Sequence, residues 1–213
     1  MKGKRIVIVT GGTLGEWILK EIHTEDVLVG SDRGALYLIE RSLQPHISMG
    51  DFDSVTQEER DRIRDSSRHF LDCDPIYKDL TDTEMAFEWA LAQEPASIVL
   101  LGALGTRFDH SLANIHLLRK GLDRGIPCTI IDASNEIIVI DKPARIRKGS
   151  YTHVSLLPLS LNVTGITLHG FQYPLHQATL QIGQSLGISN VLLEQEGLIE
   201  LETGMLLVIQ SRD

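Results

Sequence analysis

Over the first two-thirds of the chain, short apolar runs alternate with amphipathic stretches. Runs rich in Val, Ile and Leu fall at 5–9, 27–30, 46–49, 69–71, 97–101, 128–131 and 136–140. Near-continuous hydrophobicity over so few residues is what strands buried on both faces show. Between many of them, apolar positions recur at helical spacing, over 14–23, 35–42, 56–67, 82–93 and 111–120. Start signals accompany two of these: Ser54 as N-cap before the charged third helix, and Thr81 with Glu84 as a capping box. Strand and helix in alternation imply right-handed βαβ units and a mostly parallel sheet covered on both faces, a three-layer α/β/α domain.

The rhythm changes near residue 149. A basic stretch of Lys142, Arg145, Arg147 and Lys148 ends there, and beyond it the only Lys or Arg is Arg212. Alternating or short apolar runs follow at 151–157, 163–168, 178–182, 198–202 and 205–209, separated by turn residues such as Gly170, Pro174, Gly183, Gly197 and Gly204. That spacing predicts an antiparallel sandwich or small barrel. The expected division is therefore 1–146 for an α/β domain and 147–213 for an all-β domain, with the basic stretch as a solvated connector.

Composition adds exclusions. A chain of 213 residues with 42% hydrophobic and 23% charged residues suits one large domain, or a medium one with a small one. No apolar run approaches the ~20 residues that a membrane helix needs, and the opening IVIVT is too short for a signal sequence. Cys73 and Cys128 lack metal or disulfide spacing and read as reduced core thiols of a cytoplasmic protein. A net charge of −9 argues against a nucleic-acid partner, whose phosphates demand a basic face.

The chemistry is in the aspartates. Ligands of open α/β sheets sit beyond the carboxyl ends of the strands, and four predicted strand ends lead into acidic segments. These are Ser31-Asp32-Arg33-Gly34-Ala35, Gly50-Asp51-Phe52-Asp53-Ser54, Lys78-Asp79-Leu80-Thr81-Asp82 and Gly105-Thr106-Arg107-Phe108-Asp109-His110. Carboxylates gathered at one rim repel unless cations compensate. Oxygen donors of this kind suit Mg²⁺ shared with substrate phosphates, and Lys78 and Arg107 are placed to clamp phosphate oxygens. The pattern favours phosphoryl transfer. Taken singly, each aspartate also reads as a turn residue or a first-turn helix acid. Gly11-Gly12-Thr13-Leu14-Gly15 reads equally as a phosphate approach or a tight strand-to-helix turn, since it matches neither GxGxxG nor a Walker motif. Trp17 and Trp89 read as packing, and His110 as a substrate contact or a surface residue.

In that order and spacing, Asp32-x-Gly34-Ala35, Gly50-Asp51-Phe52-Asp53-Ser54, Asp79-x-Thr81-Asp82 and Gly105-x-Arg107-Phe108-Asp109 resemble the thiamine pyrophosphokinase family. Gly170-x-x-Tyr173-Pro174-Leu175 and Gly187-Ile188-Ser189-Asn190 extend the resemblance over nearly the whole chain. It implies transfer of diphosphate from ATP to the hydroxyl of thiamine, with Mg²⁺, on a homodimer that binds thiamine between subunits. Carried over by position, Asp51, Asp53, Asp79 and Asp82 would serve metal and diphosphate, Asp32 and Asp109 the substrates, and Ser189 and Asn190 thiamine. The chain departs from the family pattern at Arg33, where Gly is common, and at Val191-Leu192-Leu193, where an acidic or aromatic residue often follows the Ser-Asn pair. Two further readings stand beside this one: a phosphatase of the haloacid-dehalogenase type using Asp51, and a nucleotide- or vitamin-sensing module without turnover.

Overall fold

The computed structural model describes residues 1–73 and 79–213. The chain forms two compact units, Met1–Ala133 and Ser134–Asp213.

The first unit is built on strands β1 (Arg5–Val9), β2 (Val27–Ser31), β3 (Ile47–Gly50), β4 (His69–Asp72), β5 (Ser97–Leu101) and β6 (Cys128–Ile131). They lie in the order β4-β3-β2-β1-β5-β6 and every pairing is parallel. Helices α1 (Ile18–Glu21), α2 (Arg33–Glu40), α3 (Gln57–Ser66), α4 (Asp82–Ala92) and α5 (Phe108–Asp123) connect them. From β1 to β4 the strands progress one way; from β5 to β6 they progress the other way. Right-handed crossovers therefore put α1–α3 on one face and α4–α5 on the opposite face. Because side chains alternate along a strand, Val7, Val9, Val99 and Leu101 meet Ile18, Tyr37 and Leu38 on one side. Ile6, Ile8, Ile98 and Leu100 point the other way and are equally buried.

The second unit is all β. Strand β7 (Asn135–Ile140) and β9 (His153–Pro158) flank β13 (Leu206–Ser211) with antiparallel pairing. A four-stranded sheet runs β11 (Ala178–Gln181), β10 (Asn162–His169), β12 (Glu196–Glu200), β8 (Ala144–Arg147). One apolar core, including Val154, Leu156, Ile166, Leu168, Ile199, Leu206 and Val208, draws on strands of both sheets, as a sandwich requires.

Six local expectations change. The division falls after Ala133 rather than after residue 146, because β7 and β8 find their partners, β13 and β12, late in the chain. The basic connector is strand β8, with Arg145 and Arg147 both reaching Glu196 from β12. The helix expected over 14–23 shrinks to Ile18–Glu21, because the amides of Gly12 and Thr13 bond to the carbonyls of Gly102 and Leu104 and tie the preceding segment to the loop after β5. Thr56, not Ser54, caps α3, with the reciprocal Glu59 bond of a full capping box. At α4 the Thr81 hydroxyl accepts from the Glu84 amide, while the Glu84 carboxylate turns to Lys120 of α5. Cys128 is buried, which pushes its thiol up to about 12, whereas Cys73 is only half-buried and its thiol contacts Met85.

Candidate functional site

The order of the parallel strands reverses between β1 and β5, and an open sheet parts its connecting loops at such a point. A cleft of about 480 Å³ lies there, lined by residues that follow β1 (Thr10 to Thr13), β2 (Ser31 to Arg33) and β5 (Gly102, Ala103, Gly105 to Arg107), and by the first turns of α4 and α5. Its floor is two loops zipped together. Beyond the last β1–β5 pair, Gly12 N donates to Gly102 O (2.8 Å), Thr13 N to Leu104 O (2.7 Å), and the buried Thr10 hydroxyl to Gly102 O (2.5 Å). A Cβ on Gly12 would lie 2.3 Å from Gly102 O and 2.4 Å from Leu104 O, so only glycine permits this approach. The loop after β1 is thus a structural turn, and two of its amides are already occupied.

The carboxylates come from three elements. Asp32 follows β2 at φ +49°, a conformation that residues other than glycine seldom adopt. Its Oδ1 accepts from Phe52 N at 3.1 Å. Asp51 and Asp53 follow β3 on either side of Phe52, itself at φ +56°. The Phe52 ring is buried, stacked on Phe70 at 4.8 Å and packed with Ala35 and Ile63, so an apolar anchor holds two acids at the rim. Gly50 is required here: a Cβ would sit 2.2 Å from Asp32 Oδ1. Asp82, in the first turn of α4, accepts from Asp51 N at 3.2 Å and hydrogen-bonds Asp32.

Oxygens of Asp32, Asp51 and Asp53 lie within 4.8 Å of one another. Burial, and then the neighbouring Asp82 carboxylate, push Asp32 from 3.8 up to about 8. Without a cation the cluster answers its own repulsion by retaining a proton. An all-oxygen donor set with excess negative charge is what a hard divalent ion relieves.

The remaining predicted residues divide. Arg107 pairs with Asp109 at 2.7 Å, both well exposed, and the arginine holds the Asp109 carboxyl below its usual range. Arg107 and His110 line the cleft. Asp79 is exposed and contributes no oxygen to the three-carboxylate cluster. Lys78 lies outside the described residues. In the second unit Ser189 is exposed at φ +56°. Asn190, by contrast, is buried: Oδ1 accepts from Tyr173 N (3.0 Å) and Val191 N (2.8 Å), and Nδ2 donates to Tyr173 O (2.7 Å). Its amide fixes the loop that carries Tyr173. Missed from sequence were Thr10, Ser31 and Asn114, buried polar residues lining the cleft. Asn114 had left a signal, since it interrupts the inward stripe of α5, formed by Ser111, Leu117, Leu118 and Gly121.

Acidic residues and an arginine around a cleft at the switch point of a parallel sheet define an α/β phosphotransferase. Comparison with known proteins makes this specific. Residues 18–130 match the model for "Thiamin pyrophosphokinase, catalytic domain", and residues 136–206 that for "Thiamin pyrophosphokinase, vitamin B1 binding domain". The chain is 35% identical to thiamine pyrophosphokinase of Bacillus subtilis, over 99% of this chain and 100% of that protein. The crystal structure of a Bacillus subtilis thiamine pyrophosphokinase superposes with a TM-score of 0.92 at 34% identity, covering 99% of this chain and 100% of that one. That of Geobacillus thermodenitrificans gives 0.89 at 34%, covering 98% of each. The yeast enzyme shares the fold at 14% identity, with a TM-score of 0.81 over 100% of this chain and 87% of that one. The chain belongs to the thiamine pyrophosphokinase family.

Proposed function

We propose that this protein transfers the diphosphate of ATP to the hydroxyl of thiamine, releasing AMP and thiamine diphosphate. The observation that carries the reading is that the charged residues lining the cleft, among them Asp32, Asp82 and Arg107, lie within the part of the chain that matches the family's catalytic domain. The phosphatase reading loses its basis with family membership, and also on topology: the Asp51-Phe52-Asp53 segment follows β3, with Asp32 and Asp82 bonded into the same cluster.

Mg²⁺ fits the donor set, with Asp32, Asp51 and Asp53 as the residues that would hold it; bound there, it would screen the polyphosphate against an approaching hydroxyl. Asp82 orients Asp51 through the latter's amide and shares hydrogen bonding with Asp32. Arg107, steadied by Asp109, presents a planar fork of donors to phosphate oxygens. Lys78 and Asp79 stay in the proposal as contributors to phosphate and metal binding. In the second unit we assign thiamine contact to Ser189 and a positioning role to Asn190, consistent with the vitamin B1 binding match. Thiamine is a cation, and an acidic protein attracts it. The working form is proposed to be a cytoplasmic homodimer whose site combines the first unit of one protomer with the second unit of its partner. Two cysteines without metal or disulfide spacing agree with a reducing compartment.

Incubation with ATP, thiamine and Mg²⁺ tests the reaction: AMP and thiamine diphosphate should form in equal amounts, and phosphate release without thiamine diphosphate would overturn it. Mixing Asp53→Asn with Ser189→Arg chains tests the shared site. With half the dimers mixed, one intact site per mixed dimer restores about a quarter of wild-type activity, a fraction set by the two-fold symmetry. No recovery despite heterodimers seen by native mass spectrometry would place each site within one chain.

A further inference from the structure

Asn114 is a cleft residue to which the reading above gives no task. It occupies the second turn of α5 and lines the cleft while only 6% exposed. Its Nδ2 donates to Ala103 O at 2.7 Å. A carbonyl can only accept, so this bond fixes the amide orientation: nitrogen toward the loop after β5, Oδ1 on the other side. One turn earlier, the Ser111 hydroxyl accepts from Gly105 N at 3.0 Å and lies 3.2 Å from Arg107 O. The two side chains pin the loop that carries Arg107. Ser111 is fully engaged in that task, whereas Asn114 Oδ1 has no partner among the described residues.

A leucine at this position would continue the inward stripe. The Asn114 side chain is otherwise buried, but its Oδ1 is not sealed among the buried unpartnered atoms; it opens on the cleft, where a donor arriving from outside the chain can reach it. The chemistry of that partner is restricted. A carbonyl-type oxygen repels phosphate and carboxylate; it accepts from N–H or O–H groups or ligates a hard cation, and here the carboxylates of Asp32, Asp51 and Asp53 are the cation donors. Metal-bound polyphosphate, held at the carboxylates, offers no such donor; the ribose and base of the nucleotide do.

We propose that Asn114 Oδ1 accepts a hydrogen bond from a neutral donor of the nucleotide, a ribose hydroxyl or the exocyclic amine of the base, and so sets which nucleotide is used. This rests on the nucleotide occupying the cleft, as the proposed function requires. A site built to meet a donor rejects the analogue that lacks it, because the acceptor is then left unpaired.

The test compares ATP with 2′-deoxy-ATP, 3′-deoxy-ATP and purine riboside triphosphate, the first two removing one hydroxyl each and the last removing the amine. Both kcat/KM and calorimetric affinity are measured for wild type, Asn114→Leu and Asn114→Asp. In wild type, one analogue should lose about 10-fold in both, the effect of one neutral hydrogen bond; which analogue it is identifies the donor. Asn114→Leu should treat ATP and that analogue alike. Asn114→Asp keeps an acceptor at the same place while losing the bond to Ala103, so it should retain the preference even if overall activity falls. Should Asn114→Leu fail to fold, Asn114→Ala takes its place. Equal use of all analogues by wild type, or an unchanged preference in Asn114→Leu, would reduce Asn114 to a pin for the loop. Nucleotide discrimination in binding without any turnover would overturn the diphosphotransfer reading while leaving this inference standing.

Discussion

Replacing Asp32 by asparagine should stabilise the metal-free protein, and do so only at high pH. In the native state burial and the Asp82 carboxylate raise Asp32 from 3.8 to about 8. Between those values the folded chain keeps a proton that the unfolded chain has released. Stability from this group is therefore full below pH 4 and is lost as pH rises through 8. Asparagine imitates the protonated acid: Oδ1 still accepts from Phe52 N, and Nδ2 can donate to Asp82 as the acid proton does. At about 1.4 kcal/mol per tenfold change in proton affinity, the full difference would be on the order of 5 kcal/mol. Sharing of the proton with Asp82, and access of water from the cleft, reduce this to roughly 2 kcal/mol. For a chain of this size that is about 4–8 °C in melting temperature. The assay is thermal unfolding in excess chelator at pH 5 and pH 9, followed by far-ultraviolet circular dichroism. The variant should melt close to wild type at pH 5 and several degrees higher at pH 9. Saturating Mg²⁺ should then stabilise wild type more than the variant. An equal difference at both pH values would refute the argument, because a packing effect does not titrate.

Three further outcomes are expected. Asp53→Asn should keep its fold but lose roughly 100-fold or more in turnover, the scale of losing one preorganised electrostatic group; near-normal turnover would remove it from the site. Gly12→Ala forces a methyl against two carbonyl oxygens at 2.3 and 2.4 Å, so it should lower the melting temperature and weaken nucleotide affinity together, whereas unchanged affinity would separate the loop from the cleft. Arg147→Ala should change turnover less than twofold, since among the described residues the exposed guanidinium pairs with Glu196 of the neighbouring strand β12 and surface pairs contribute little; a large loss without unfolding would mean that this strand reaches substrate.

Much of the first unit is legible from local patterns. Strands buried on both faces read as unbroken apolar runs, so β1, β5 and β6 match their expected bounds, and the aspartates at the ends of β2 and β3 mark the rim without any knowledge of strand order. Periodicity also locates α2 to α5, because each must bury one stripe against the sheet. What no local pattern carries is the identity of the partner. Arg145 and Arg147 look like a charged connector until β12, 50 residues later, supplies the ladder and Glu196, and with it the division moves to Ala133. The amides of Gly12 and Thr13 are consumed by carbonyls some 90 residues away, which shortens α1 and withdraws those two donors from any phosphate. Asn190 has the polarity of a ligand contact, yet folding turns it inward onto the Tyr173 loop. Asp32 enters the acidic cluster because β2 lies beside β3 and Gly50 leaves room for its carboxylate, while Asp79, equally acidic in sequence, stands apart. The sequence by itself determined which residues have the chemistry. The tertiary structure decided which of them meet, since hydrogen bonds and like-charge repulsion depend on distances across the fold and not along the chain.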